Sequence, residues 1–355
     1  MRSRTALGML DLGSASIATG FGPKTLALLE PPVVPIPLGD IDGDGVLDHA
    51  VSVRSSTAPS RVLVVVSGET NEVLRRHPAA GTLVSVTAAT GVGDVDGDGL
   101  DDYVIATTDT ELERGFTLTT ILGMSGASAA RRQFPECVNS IRIRGSGASP
   151  SEGGGLVAVL TEPRSSNRVP SDALLLRACD LETHCRLAPA SPAPRRRGDG
   201  AWVDWNEDGD LEFVVAEYGG LSVYSSRDGR ELARIDGPRI RPRQAPRIPD
   251  WTALRDAETW GETMTVVGDV LVVDGPSWGL ISAVRLGSSE LVFQRSLEGT
   301  FVPTVRLLAV QDVTADDVPD FVVFGGRWTP EGTIPIHEVR SGSDGRRVPE
   351  EVGRR

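Results

Sequence analysis

The stretch GDIDGDGVLD, Gly39–Asp48, sets Asp40, Asp42, Asp44 and Asp48 within nine positions, just before a strand-like run. Like charges that close repel by about 4 kcal/mol per pair at ~4 Å in an effective dielectric of ~20, so the cluster calls for compensation. The stretch recurs as GDVDGDGLDDYVIAT from Gly93, VDWNEDGDLEFVVAE from Val203 and QDVTADDVPDFVVFG from Gln311. The first aspartates, Asp40, Asp94, Asp204 and Asp312, are separated by 54, 110 and 108 residues. Two of these gaps are double the first, which places two further units near residues 148 and 258.

Both are found by their strands. GSGASPSEGGGLVAVLTE from Gly145 keeps loop length and strand but has lost the acids; MTVVGDVLVVDG from Met264 keeps Gly-Asp before a strand, with the loop collapsed to a turn. A strand precedes each loop, as in VVPIPL and SIRIRG, and two more follow it across a polar turn such as Arg227-Asp228-Gly229, rich in the residues hairpins require. Each unit is thus four short strands in roughly 50–58 residues, a period expected of propeller-like repeats. The expected fold is all-β: a β-propeller of four-stranded antiparallel blades over residues 31–355, with six visible repeats and either six or seven blades. Stacking such sheets on one another protects their edges. Residues 1–30 are read as an N-terminal segment whose SASIATGFG and KTLALLE stretches either complete a blade or make half of a seventh. DWTALRDAETWG is the one short helical pattern.

Alternate positions of a tight loop converge on one point. Positions one, three and five are Asp40/Asp42/Asp44, Asp94/Asp96/Asp98, Asp204/Asn206/Asp208 and Asp312/Thr314/Asp316, all oxygen donors. Position six is Gly45, Gly99, Gly209 and, in the last loop, Asp317, where the backbone must turn sharply. Position nine is always acidic: Asp48, Asp102, Glu212, Asp320. A backbone carbonyl at position seven adds another oxygen. Calcium takes six to eight oxygens in flexible geometry, and the nitrogen and sulfur ligands of zinc are missing from these loops. An EF-hand is excluded, because position twelve is Val51, Ile105, Val215 or Val323 rather than glutamate and the flanks read as strands. Solvated Asp-Gly turns without an ion are the competing reading, which four loops in register disfavour. The last loop, with Thr314 and Asp317, is the weakest site.

These four loops, with the strands DHAVSV, DYVIAT, EFVVAE and DFVVFG that follow them, resemble the FG-GAP repeats (VCBS or integrin-α N-terminal repeats) of calcium-binding β-propellers. The resemblance implies that each loop joins the first two strands of a blade and holds Ca²⁺. It implies three to four ions, with the residues above as ligands together with the carbonyls of Val46, Leu100, Asp210 and Val318. The departures are two units without a cage and six visible blades where integrins have seven.

The 355 residues suffice for two average domains or one large all-β domain. The loops hold 18 acidic residues, more than the whole net charge of −13, so the acidity is local. That balance argues against nucleic acid as a partner, and no apolar run reaches the ~18–20 residues of a membrane span. Lys24 is the only lysine. The N-terminal MRSRTALGMLDLGSASIATGFG starts basic, but Asp11 breaks its apolar stretch, making it a poor export signal. Cys179 and Cys185, in RACDLETHCRL, fit either a short-loop disulfide or two thiols, and Cys137 is left over.

No catalytic constellation emerges. Gly275-Pro276-Ser277-Trp278-Gly279 matches G-x-S-x-G but joins two strand patterns, whereas a nucleophile elbow needs a following helix. His49, His77, His184 and His337 are scattered and read as strand or surface residues. Arg197-Gly198-Asp199 is an RGD tripeptide of the kind an Arg-, Gly- and Asp-rich chain produces by chance. Trp202 and Trp205, flanking Asp204, read as packing. The longest insertion, residues 237–262, carries five arginines with Trp251 and Trp260, types common at binding hot spots, and is the candidate partner surface. The expected function is a non-enzymatic, calcium-binding protein- or glycan-binding adhesion module, extracellular, cell-surface or periplasmic because millimolar calcium fills such sites there. The alternative is a calcium-dependent polysaccharide lyase or other carbohydrate-acting propeller, whose base has to come from few candidates, among them Tyr103, Tyr218 and Tyr224.

Overall fold

The computed structural model describes residues 35–54, 61–78, 84–109, 115–134, 138–146, 155–163, 173–188, 197–217, 220–237, 263–275, 280–297, 305–310, 312–329 and 332–348. Among these residues there is no helix, and the strands form six antiparallel sheets in sequence order. The first comprises β1 (Ile36–Gly39), β2 (Asp48–Arg54), β3 (Arg61–Val66) and β4 (Val73–His77). The second is β5 (Val84–Gly93), β6 (Asp102–Asp109), β7 (Phe116–Ile121) and β8 (Ser128–Phe134). The third is β9 (Val138–Gly145), β10 (Leu156–Pro163), β11 (Ala173–Arg177) and β12 (Thr183–Arg186). The fourth is β13 (Arg197–Val203), β14 (Glu212–Glu217), β15 (Gly220–Tyr224) and β16 (Glu231–Asp236). The fifth is β17 (Met264–Val267), β18 (Val270–Gly275), β19 (Leu280–Arg285) and β20 (Leu291–Ser296). The sixth has β21 (Val305–Val310), β22 (Asp320–Thr329) and β23 (Gly332–Arg340), with an isolated Arg340–Arg347 bridge where a fourth strand would run.

Six meandering sheets of this kind are the blades of a β-propeller, as the repeat predicted. Both cage-less units are real blades. In the fifth, the acidic loop is reduced to the two-residue turn Gly268-Asp269 between β17 and β18. In the third, the strands are present, and residues 147–154 of the connection lie outside the described residues. Residues 1–30, the insertion from residue 238 to 262 with its helical pattern, Cys137, Ser277 and Tyr218 also lie outside them.

The chain divides into two compact units, Met1–Leu187 with Arg227–Gly229, and Ala188–Ser226 with Arg230–Arg355; β1–β12 lie in the first and β13–β23 in the second. In the first unit, one core joins blades one and two through Leu38, Ala50, Leu63 and Val65 against Val86, Tyr103 and Ile105. A second joins blades two and three through Val104, Phe116 and Leu118 against Ile143, Val157, Val159 and Leu176. The second unit repeats the scheme. Val214, Leu221 and Val223 meet Leu271 and Val273, and Val272, Ile281 and Phe293 meet Phe321 and Val323.

The sequence explains this layering. Side chains alternate between the faces of a strand, and a blade packed on both sides needs both faces apolar. Ala50 and Val65 serve one core while Val51, Val53, Val64 and Val66 cluster on the other face of the same sheet. All six residues of β14 are buried for the same reason. The fourth strands are different: VLRRH in β4 and SAARRQF in β8 are half-exposed and carry paired arginines, charges that discourage edge-to-edge association.

Candidate functional site: four acidic loops

The four loops, Asp40–Asp48, Asp94–Asp102, Asp204–Glu212 and Asp312–Asp320, each connect the first strand of a blade to the second. Position nine is in every case the first residue of the second strand. Gly39 pairs with Asp48, Gly93 with Asp102 and Val203 with Glu212, so one ladder position closes the loop.

The loops share one hydrogen-bond framework. The position-two amide donates to the position-nine carboxylate: Ile41 to Asp48 (2.8 Å), Val95 to Asp102 (2.8 Å), Trp205 to Glu212 (2.8 Å) and Val313 to Asp320 (2.7 Å). The position-six amide donates to the position-one carboxylate: Gly45 to Asp40 (2.9 Å), Gly99 to Asp94 (2.8 Å), Gly209 to Asp204 (3.1 Å) and Asp317 to Asp312 (2.8 Å). The position-seven amide donates to position five, Val46 to Asp44 at 2.7 Å and likewise Leu100 to Asp98, Asp210 to Asp208 and Val318 to Asp316.

The backbone conformation is shared too. Position six is left-handed throughout, with φ of 81° at Gly45, 88° at Gly99, 87° at Gly209 and 65° at Asp317. Position four is left-handed as well, at Gly43, Gly97, Glu207 and Ala315, a requirement the sequence pattern had not suggested. A non-glycine residue in this region costs about 1–2 kcal/mol. Ala315 and Asp317 donate their amides to Asp312, as the glycines of the first two loops do to Asp40 and Asp94, whereas in the third loop the Asp208 and Gly209 amides bond Asp204 around Glu207.

Carboxylates converge in three of the loops. One oxygen from each of Asp40, Asp42 and Asp48 lies within 4.8 Å of the others, and so do oxygens of Asp94, Asp96 and Asp102 and of Asp312, Asp316 and Asp320. In the third loop, Asn206 Oδ1 accepts the Asp208 amide and its Nδ2 donates to Asp208 Oδ2, each at 3.0 Å. The position-nine acids are buried: Asp48 is 1% exposed, Asp102 0%, Glu212 4% and Asp320 0%. Burial, opposed by the Gly68 and Ile41 amides and reinforced by Asp42 and Asp44, pushes the Asp48 carboxyl up to about 6. Asp102 and Glu212 are raised mainly by burial, and Asp42 by burial and then by the charges of Asp44 and Asp40. In the fourth loop the direction reverses. Burial opposes the shift at Asp312, but amides of Asp317, Ala315 and Asp316 and the Thr314 hydroxyl hold it below the usual range. Asp316 is lowered chiefly by the Ser343 hydroxyl, 2.8 Å away. In the fourth loop the Thr314 and Ser343 hydroxyls thus lie against the carboxylates of Asp312 and Asp316.

In three of the four loops a glycine in the turn after the blade's third strand supports the loop. Gly68, Gly123 and Gly342 donate their amides to the second oxygen of position nine, to Asp48 (2.9 Å), Asp102 (2.6 Å) and Asp320 (3.1 Å). A Cβ on these glycines would lie 2.1 Å from the Leu47 carbonyl, 2.4 Å from that of Asp101 and 1.9 Å from that of Pro319. Sequence reading missed them. Their signal is a glycine two residues after the third strand in three of the four blades with an acidic loop, in VVVSG, TTILG and EVRSG, where the blade of the third loop has Ser226.

A site of this kind offers carboxylate, amide and hydroxyl oxygen with no nitrogen or sulfur ligand among its positions. That donor set suits a hard divalent cation, calcium before zinc.

The remaining candidates separate cleanly. Asp199 of the RGD tripeptide is 2% exposed within β13, and its Oδ1 accepts the Gly200 amide, so the tripeptide is not presented for capture. The segment after Gly275 joins strand β18 to strand β19, as the sequence implied. Cys179 and Cys185 form no disulfide, so the hairpin between β11 and β12 is not disulfide-closed; the Arg177 guanidinium clamps its turn through Asp180 and Glu182 instead. Trp205 is buried in the core and Trp202 packs on Phe213 with ring centroids 4.9 Å apart, both as packing residues. His49 is buried in β2, His184 is exposed in β12, and His77 Nε2 lies 2.7 Å from the Tyr103 hydroxyl, which assigns that tyrosine to the core between two blades. His337 lies on β23.

No protein-family model matches the chain, and no curated protein matches it in sequence. Among solved structures, the β-propeller domain of Cps50 (Swd1) from Myceliophteria thermophila matches with TM-score 0.51 at 10% identity, over 90% of this chain and 87% of that one. BamB from Moraxella catarrhalis matches with TM-score 0.44 at 13% identity, over 89% and 86%. BBS1N in its complex with ARL6DN matches with 0.48 at 12%, over 88% and 79%. At these identities the likeness bears on the fold alone, and the first of the three carries it.

Proposed function

We propose that this chain is a calcium-binding β-propeller of the FG-GAP/VCBS type that acts as an extracellular protein- or glycan-binding module rather than an enzyme. The observation that supports it best is the four-fold recurrence of one nine-residue loop, with the same amide-to-carboxylate bonds and the same left-handed positions four and six. Solvated turns have no need to keep this framework while burying an acid at position nine. The ligands are the side chains at positions one, three, five and nine with the position-seven carbonyls. The cation supplies the positive charge that the converging carboxylates lack and fixes the loops that connect each blade's first two strands. In an extracellular setting, millimolar calcium fills such sites without special affinity. Residues 237–262, rich in arginine and tryptophan, are the candidate partner surface on this reading.

Thermal melting in Ca²⁺, Mg²⁺ and EDTA, read beside calcium stoichiometry by calorimetry, tests the reading. Three to four ions bind, and chelation lowers the midpoint by well over the ~2–4 °C that 1 kcal/mol brings to a domain of 150–250 residues. No calcium uptake and an unchanged midpoint would sink it. A glycan and protein array run with and without EDTA, followed by an activity screen on the hits, separates a binding module from a carbohydrate-acting enzyme.

A further inference from the structure

Position eight of the second loop is Asp101, where the other loops have Leu47, Leu211 and Pro319. This residue reaches into the neighbouring blade. Its Oδ2 accepts the Asp40 amide at 2.8 Å, and its own amide donates to the Asp40 carbonyl at 2.9 Å. Both backbone groups of the first loop's leading aspartate are thus held by one residue 61 positions away.

The surroundings are shaped for this contact. Gly39 is left-handed, with φ 103°, and a Cβ there would lie 2.2 Å from Asp101 Oδ2 and 2.5 Å from Asp101 Cβ. The absent side chain of Gly39 is the space the Asp101 carboxylate fills. Gly43 faces Leu100 Cδ2, 2.9 Å from where its Cβ would be. At Gly123, a Cβ would meet the Asp101 carbonyl at 2.4 Å and the Ile41 carbonyl at 3.2 Å. Positions one to four of the first loop therefore lie along positions seven and eight of the second. Asp40 in turn organises its own loop through the Gly43 and Gly45 amides.

We propose that Asp101 is a positioning residue that couples the first two loops, so that they order as one unit and, if the calcium reading above is right, fill cooperatively. The physical route is short. Asp101 lies between Leu100, whose carbonyl is a ligand on that reading, and Asp102, the position-nine ligand. A cation in the second loop fixes both neighbours and with them the two bonds to Asp40. Asp40 is then held in the conformation the first loop needs. Linkage requires the effect to be reciprocal, and coupling of this kind is typically about 5–150-fold. The coupled element is a contiguous hydrogen-bonded contact.

The test uses the full chain and two readouts. In calcium titrations by calorimetry, Asp42→Ala removes a ligand oxygen from the first loop and Asp98→Ala one from the second. Each weakens calcium binding at the other loop at least about fivefold in the wild-type background. In the Asp101→Ala background the two losses become independent, each leaving the other site within about twofold. Asp101→Asn keeps an oxygen acceptor at the same place and preserves the coupling. In calcium-free protein, hydrogen exchange at the Asp40, Gly43 and Gly45 amides accelerates several-fold in Asp101→Ala and stays near wild type in Asp101→Asn. Calcium binding whose coupling survives Asp101→Ala, or exchange in the first loop that ignores Asp101, overturns the proposal. Absence of calcium binding together with Asp101-dependent exchange overturns the calcium reading and leaves the mechanical coupling standing.

Discussion

Replacing Gly68 with alanine measures how much the loops depend on a residue outside them. The added Cβ would lie 2.1 Å from the Leu47 carbonyl and 2.9 Å from Val46 Cγ1, and the first of these is backbone that cannot swing aside. Overpacking of this kind costs about 1–3 kcal/mol. The shift also stretches the Gly68 amide bond to the buried Asp48 carboxylate, 2.9 Å long, and a hydrogen bond to a charged group contributes about 1.5–3 kcal/mol. Against this, losing a glycine stiffens the unfolded chain and returns about 0.4–1 kcal/mol. The net is a destabilisation of roughly 2–4 kcal/mol, or roughly 5–15 °C in melting temperature at ~2–4 °C per kcal/mol. Gly97→Ala is the control: it has φ 81° but open space around its Cβ, so only the left-handed penalty of about 1–2 kcal/mol applies. Scanning calorimetry of both variants, in EDTA and in calcium, checks the argument. A Gly68→Ala midpoint within about 2 °C of wild type, the shift that roughly one kcal/mol brings, or a loss no greater than that of Gly97→Ala, refutes the packing argument.

Ala315→Gly relieves a left-handed alanine with φ 60° in the fourth loop and should stabilise by about 0.5–1 kcal/mol, measured by urea unfolding, because the strain removed exceeds the entropy glycine adds. Leu118→Ala empties a fully buried position in the core shared by blades two and three and should cost about 2–5 kcal/mol in the same assay. His77 is held below the usual imidazole value of 6.5 by burial and then by the Arg75 charge. The unfolded chain therefore takes up a proton first, and the contribution of His77 is complete above pH 6.5 and declines as pH falls below it. His77→Phe should flatten that decline in melts run between about pH 5 and 7, and an unchanged slope counts against the assignment.

Much of the fold was legible from spacing because a blade is a local object. Its four strands follow one another, and the valine-rich runs after each loop had to be buried on both faces. The loop chemistry was legible for the same reason: positions one to nine lie on one short segment, so their convergence follows from turn geometry. That locality also exposed the third and fifth blades, which had lost their acids but kept their strands. The left-handed position four escaped notice because Glu207 and Ala315 occupy it in two of the four loops, which hides the glycine pattern of the others.

Taken alone, the amino-acid order determined an all-β chain of repeated four-stranded units and the oxygen-rich loops between their first two strands. Tertiary structure decided what those loops lean on. Gly68, Gly123 and Gly342 sit about twenty residues beyond the acids they support, and Asp101 grips Asp40 across 61 residues. It also buried Asp199, which a tripeptide reading would have left available. The physical reason is that a contact between blades depends on how two sheets pack face to face, and no periodicity along a single strand encodes which backbone carbonyl will occupy the space beside a glycine.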